Sequence, residues 1–240
     1  MPADTTALLV FIKNPVEGRV KTRLAATVGT AKALEVYHKL LAHTFAVANA
    51  TKVAGLERKL YYSEPIGQVT FTNYQLPETG LALWSADGSV LGFVACVQSQ
   101  VTDLGERMRA AFAETFEKTP SEGVPMPLAK VVIIGSDCLE LQPHHLEAAF
   151  AALDSTDLVI GPAHDGGYYL LGMKQLHPTL FEGIVWSTDT VYRETMHRAA
   201  ALGLRVAYLE TLHDVDTEAD WLASVATWNT LNIIDTKNKN

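Results

Sequence analysis

Cysteine is scarce in this chain. Cys96 and Cys138 are the only two among 240 residues, and they do not form a CxxC pair. That excludes a disulfide framework and fits a reducing, cytoplasmic setting. Positive charge is also in short supply: 19 Lys and Arg face 27 Asp and Glu, for a net charge of −8. A broad basic surface for nucleic acid or anionic lipid is therefore ruled out, and any anion has to be caught locally. Long apolar runs are missing too. The first, "ALLVFI", is too short for a secretion signal, and no later segment is long enough to span a membrane. There is no internal repeat and no low-complexity linker; only the tail "DTKNKN" (232–240 in its widest bounds) reads as disordered.

What remains is an ordinary globular composition, 48% hydrophobic, long enough to bury a full core. Continuous apolar runs at 7–13, 130–135 and 157–162 read as strands buried on both faces. Helical periodicity follows from Thr30, where Leu34, Tyr37, Leu41, Phe45 and Ala48 mark one face. Further helices are expected from Asp103, over 143–153, 188–203 and 217–231, and further strands at 58–63, 168–173 and 205–209. Asp103 with Glu106 resembles a capping box. The strand at 168–173 follows its predecessor too closely for a helical crossover, so it runs antiparallel. These alternations predict a single-domain, three-layer α/β/α fold over 1–231 with a mixed, mostly parallel sheet. A β-rich stretch at about 66–97, with "ADGS" as its turn, reads as a hairpin-like insertion.

In such a sheet, ligands lie beyond the carboxyl ends of the strands. Three strand-end loops carry unusual residues. The first, "KNPVEGRVKTRL" (13–24), gathers Lys13, Arg19, Lys21 and Arg23 around Pro15 and Gly18. Its spacing is neither that of a P-loop nor G-x-G-x-x-G. Lys21 and Arg23 suit phosphate oxygens, Arg as a bidentate fork, and the alternative is a solvated loop. The second, "IIGSDCLEL", sets Ser136 and Asp137 at a strand mouth, where a carboxylate suits a hard divalent cation or simply caps a turn. Cys138 reads as a small buried residue. The third, "GPAHDGGYYLLG", flanks the Gly166–Gly167 pair with Asp165 and Tyr168, as a ligand-approach loop or a tight turn. His164 beside it reads as a polar loop residue.

Later, "VWSTDTV" offers Trp186 as a stacking wall and Ser187 or Thr188 as a helix cap. "HDVDTEADW" offers Asp216 as a second metal ligand beside Asp137, or, with Thr217, as a cap for the last helix. His213 has no second ligand at zinc spacing.

Taken in order, "FIKNPVEGRVKTRL", "QSQVTDLGERMRAAF", "IIGSDC", "GPAHDGGYYLLGM", "VWSTDTV" and "DVDTEADW" resemble the DUF2064 family of bacterial glycosyltransferase-like proteins. More distantly, they are similar to 2-phospho-lactate guanylyltransferase and the molybdenum-cofactor nucleotidyltransferases. The resemblance implies a GT-A-type, nucleotide-diphospho-sugar transferase fold and a metal-dependent transferase acting on a nucleotide-activated donor. A glycosyltransferase using a nucleotide sugar is the first reading. A nucleotidyltransferase moving NMP from an NTP to a phosphorylated small molecule is the alternative, and a non-catalytic nucleotide-binding module the third. The chain lacks the "L-x-x-G-x-G-x-R" start of sugar-phosphate nucleotidyltransferases.

On this resemblance, Lys13, Pro15, Gly18, Arg19, Lys21, Thr22, Arg23 and Ser136 hold the nucleotide phosphates. Asp137 and Asp216 hold a divalent cation, Mg or Mn. Asp137, Lys21 and Arg23 carry the catalysis. Asp165, Gly166, Gly167, Tyr168, Trp186, Ser187 and Thr188 face the sugar or the small-molecule acceptor. The 66–97 insertion shapes an acceptor site or a homodimer contact.

Overall fold

The computed structural model describes residues 6–65, 89–117 and 130–226. Seven strands form one sheet in the order β3-β2-β1-β4-β6-β5-β7. They are β1 (Thr6–Ile12), β2 (Leu56–Tyr62), β3 (Val94–Val97), β4 (Lys130–Ile134), β5 (Leu158–Pro162), β6 (Tyr168–Met173) and β7 (Val206–Tyr208). The helices are α1 (Thr22–Val28), α2 (Thr30–Ala50), α3 (Leu104–Glu117), α4 (Pro143–Ala152) and α5 (Val191–Ala201), with further helical turns over 218–226. All pairings are parallel except those of β6, which runs antiparallel to β4 and β5. The short connection between β5 and β6 forces that reversal.

The apolar run of β1 divides cleanly between two layers, because successive side chains point to opposite faces. Leu8, Val10 and Ile12 join the core under α1, α2 and α4. Ala7, Leu9 and Phe11 join the core under α3 and α5. In β4, Val132 and Ile134 face the first layer, and Val131 and Ile133 the second. Each fully buried residue of this size contributes about 1.5–3 kcal/mol, so these two central strands anchor the sheet. Their carboxyl ends, at Ile12 and Ile134, lie side by side, with Val10 in register with Ile134.

Three local features depart from the sequence expectation. Residues 22–28 form a separate short helix, α1, which buries only Leu24 and so has no readable periodicity. Asp103 does cap α3, its Oδ1 accepting the Glu106 N–H at 2.8 Å, but the Glu106 carboxylate pairs with Arg109 instead of closing the box. The described end of the stretch assigned to an insertion is β3, which extends the main sheet parallel to β2. Residues 66–88 and the tail from 227 lie outside the described residues.

With β3 outside it, β2 is an interior strand. From there Arg58 donates to the carbonyls of Ala48 (2.7 Å) and Thr51 (3.0 Å), satisfying open acceptors at the C-terminus of α2.

Candidate active site

A cleft of about 1050 Å³ opens at the carboxyl ends of β1 and β4. Its entrance is braced by buried polar groups. Asn14, which sequence reasoning passed over, accepts from Ser63 Oγ (3.1 Å) and donates to the Glu64 carbonyl (3.1 Å), tying the end of β1 to that of β2. The Tyr37 hydroxyl, from α2, donates to the Lys13 carbonyl at 2.9 Å and lies 3.3 Å from Ser136 Oγ. The strand-end loops therefore hang from rigid elements.

At the centre is Lys21. Its backbone is left-handed (φ 48°, ψ 47°), a conformation that costs a side-chain-bearing residue about 1 kcal/mol or more. Surrounding contacts repay this. The side chain is only 4% exposed, and Nζ lies 2.8 Å from Asp137 Oδ1 and 3.3 Å from Asp216 Oδ1. Burial opposes the Lys21 charge, but Asp137 and Asp216 outweigh it and hold the ammonium above its ordinary range. Three loops thus meet on one cation: those after β1 and β4, and the one before the last helical turns. Val215 N–H donates to the Asp137 carbonyl at 2.8 Å and holds the last two together.

Asp216 is free to face Lys21 because Thr217 and Asp220 do the capping. Asp220 Oδ2 accepts from the N–H of Asp216 and Thr217 (3.1 and 2.8 Å). Asp214 also lines the cleft, and no separate signal singled it out in the sequence. Burial, with the charges of Asp137 and Asp165, pushes its carboxyl up to about 7. Acid is therefore in excess here: Asp137, Asp216 and Asp214 all act on the one buried ammonium of Lys21, and Asp165 lines the same cleft.

The cations of the first loop do not form one cradle. Lys13 and Arg23 line the cleft; Arg23 is 72% exposed and reaches Asp216 Oδ2 at 3.4 Å. Arg19 turns away to pair with Glu64 at 3.0 Å, and neither it nor Pro15 nor Gly18 is among the lining residues. The loop's two ends, Lys13 after β1 and Val20 to Arg23 at the start of α1, face the cleft, and its middle, Pro15 to Arg19, does not. Thr22, Ser136, Asp165, Gly167, Tyr168, Trp186, Ser187 and Thr188 do line the cleft.

Gly166 does not. A Cβ there would sit 2.1 Å from the Asp189 carbonyl oxygen, and its φ is +88°, so this glycine docks the turn against the start of α5. Tyr192 N–H donates to its carbonyl at 2.9 Å. Ser187 and Thr188 do not cap α5; Thr190 holds that position, and Thr188 Oγ1 donates to the Val185 carbonyl. His213 pairs with Glu140 and stacks on His164, outside the cleft.

Two carboxylate oxygens bonded to one ammonium can be no further apart than about 6 Å, the sum of their two distances. Hard oxygens this close, with further acid behind them, have the chemistry of a divalent-cation site. Among the described residues, no three His, Cys, Asp or Glu side chains are already arranged around a metal position. Lys21 fills the space between the carboxylates, so the residues fit a cation held by Asp137 and Asp216 once Lys21 turns to a ligand.

Comparison with known proteins agrees with this architecture. The DUF2064 family, described as an uncharacterized protein conserved in bacteria, matches residues 46–188. A provisional nucleotide-diphospho-sugar transferase from Desulfovibrio desulfuricans G20 superposes with a TM-score of 0.71 at 29% identity, over 88% of this chain and 82% of that one. CMP:2-keto-3-deoxy-manno-octonic acid synthetase, complexed with CTP, gives 0.53 at 11% identity, over 95% and 99%. The 4-diphosphocytidyl-2C-methyl-D-erythritol synthase of Anaerococcus prevotii DSM 20548 gives 0.51 at 9%, over 94% and 96%. The last two share the fold alone. No curated protein matches the chain. Among the described residues, no helix is long and apolar enough to cross a membrane.

Proposed function

We propose that this chain, which belongs to the DUF2064 family, is a metal-dependent transferase that takes a nucleotide-activated donor, best read as a nucleotide sugar, and delivers its group to a small-molecule acceptor. The observation that carries this is the meeting of Lys21, Asp137 and Asp216 at the sheet's carboxyl edge, in a cleft with room for two substrates. The likeness to the Desulfovibrio protein supports the donor class.

In this reading the donor's diphosphate lies against Lys21 and Arg23. Lys21 leaves its carboxylates to grip a phosphate oxygen, and Asp137 and Asp216 are then free to hold Mg or Mn. When bound, the cation neutralises charge on the diphosphate. Arg23, exposed at the rim, closes on the phosphates as a planar fork. The Tyr37–Ser136 contact fixes the loop that carries Asp137, so the cluster is preorganised for charge that grows on the leaving group. Asp165, held by the Gly167 N–H at 2.8 Å, and the Tyr168–Trp186 wall face the acceptor side.

The same cluster serves nucleotidyl transfer, and two nucleotidyltransferases share the fold. Products separate the two chemistries. Incubation of nucleotide sugars and of NTPs with Mn²⁺ and a pool of carbohydrate and phosphorylated small-molecule acceptors should release nucleoside diphosphate in glycosyl transfer. Release of pyrophosphate would instead establish nucleotidyl transfer. Binding without turnover of either kind would leave a non-catalytic module.

A further inference from the structure

The cleft has a second half that the phosphate cluster does not use. Because strand side chains alternate, Phe11 and Ile133 face the α3 layer while Ile12 and Ile134 face the α2 layer. On the α3 side the wall is apolar, built from Phe11, Met108, Tyr168 and Trp186, and one cation stands in it, Arg107. Arg107 comes from the stretch "QSQVTDLGERMRAAF", at the start of α3.

Arg107 is held by an unusually constrained partner. Gln98 is 4% exposed. Its amide nitrogen donates to two strand-end carbonyls, Ile12 (2.9 Å) and Tyr61 (3.0 Å). Both amide hydrogens are therefore committed, the amide cannot flip, and Oε1 is fixed as an acceptor. That oxygen takes Arg107 Nη1–H at 2.8 Å. The guanidinium is thus pinned at the cleft wall by a group that carries no charge.

The rest of its donors are not so served. Arg107 Nε is buried with no hydrogen-bond partner, and no carboxylate forms a salt bridge with Arg107 among the described residues. Asp103 is near enough to attract the guanidinium, but its Oδ1 is occupied by the Glu106 N–H. In the other half of the cleft, by contrast, Lys21 and Arg23 both have carboxylate partners. A half-buried guanidinium with open donors is costly unless an anion completes it. Trp186 Nε1 is also buried without a hydrogen-bond partner, packed against the first turn of α3. Its ring lies across the first turn of α3, where a Cβ on Gly105 would be 2.4 Å from it; only glycine lets the indole in.

From this geometry we infer that Arg107, pinned by Gln98, is a second anion-binding subsite of the cleft, taking the phosphate or carboxylate of an acceptor whose apolar or ring-bearing body rests on Trp186 and Tyr168. The inference rests on the reading of the cleft as a two-substrate site, and it names the acceptor as an anion. Gln98 is a positioning residue; Arg107 touches the ligand.

The test uses titration calorimetry on the full chain, with phenyl phosphate and phenylacetate as probes and phenol as the uncharged control. A nucleoside diphosphate panel with Mg²⁺ is titrated in parallel. One of the two charged probes should bind and phenol should not, and the tighter of the pair identifies the anion. Arg107→Gln should weaken that probe at least about tenfold while nucleotide affinity stays within about twofold, and Arg107→Lys should recover part of the loss. Lys21→Met should show the reverse pattern. The inference is overturned if neither charged probe binds the natural protein, if Arg107→Gln leaves the probe's affinity unchanged, or if nucleotide affinity falls in step with it. If no nucleotide binds but phenyl phosphate binds through Arg107, the subsite stands and the donor reading is what fails.

Discussion

Replacing Lys21 by Met removes the ammonium and keeps most of the side-chain bulk. In the structure that ammonium is bonded at 2.8 and 3.3 Å to two carboxylates whose side chains are 44% and 40% exposed. Removing one member of a fully buried ion pair costs about 3–5 kcal/mol, because a bare charge is left behind. Here the survivors are half solvated and can recruit water or salt cations, so a loss of about 1–3 kcal/mol is expected. In a domain of this size each kcal/mol shifts the unfolding midpoint by about 2–4 °C, so the midpoint should fall by about 2–12 °C. Two controls separate the contributions. Lys21→Gly makes the same electrostatic change and relieves the left-handed backbone by about 1 kcal/mol, but it also removes a side chain that is only 4% exposed, so it should be no more stable than Lys21→Met. Added Mg²⁺ or Mn²⁺ should stabilise Lys21→Met more than the natural protein, because the carboxylates no longer have a resident cation. Thermal unfolding with and without metal reads all three. A Lys21→Met protein as stable as the parent, and no more responsive to metal, would refute the picture of Lys21 as the ion that holds these loops together.

Arg23→Ala should weaken nucleotide binding by about 1.5–3 kcal/mol, whereas Arg19→Ala, which loses only its pair with Glu64 outside the cleft, should leave it unchanged; equal effects by calorimetry would contradict the division of this loop. Gly166→Ala should destabilise the fold by about 2–4 kcal/mol in urea titration, because the new Cβ meets the Asp189 backbone and the φ is positive. Burial holds His38 down at about 4, below its ordinary value near 6.5. The unfolded chain therefore binds a proton between these values that the folded chain refuses, so stability is complete above about pH 6.5 and falls as pH drops toward 4. His38→Gln should flatten that slope by at most about 1.4 kcal/mol per pH unit, and an unchanged slope would assign the acid sensitivity elsewhere.

The sheet was legible because its central strands are buried on both faces. β1 and β4 show as unbroken apolar runs, and the shortness of the β5–β6 link dictated the antiparallel turn. The convergence of Asp137 with Asp216 was legible for a related reason, since strand-end loops of one sheet meet at one edge. What the chain order could not show is which charges pair across that edge. Lys21 and Arg19 are two residues apart, yet one is buried between aspartates and the other pairs with Glu64 at the surface, because Arg19 lies in the turn before α1 and Lys21 is the left-handed residue at which the chain enters that helix. Arg107 escaped notice because its periodicity is that of an ordinary amphipathic helix. Its partner Gln98 is distinguished only by two carbonyls, from residues 86 and 37 positions away. Gly166 reads equally well as a ligand contact or a turn; only the approach of Asp189 shows that it serves packing, and only the approach of Trp186 shows why Gly105 is a glycine.

In the proposed function, Asp137 and Asp216 hold a divalent cation through which the cleft takes a nucleotide-activated donor. The most direct measurement is calorimetric titration of nucleotide sugars and nucleoside diphosphates, with Mn²⁺ and with EDTA, into the natural protein and an Asp137→Asn/Asp216→Asn variant. The account predicts saturable binding of at least one nucleotide that needs Mn²⁺ and is lost in the variant. Nucleotide binding that is indifferent to both EDTA and the double substitution, or no binding of any nucleotide to the natural protein, would contradict it.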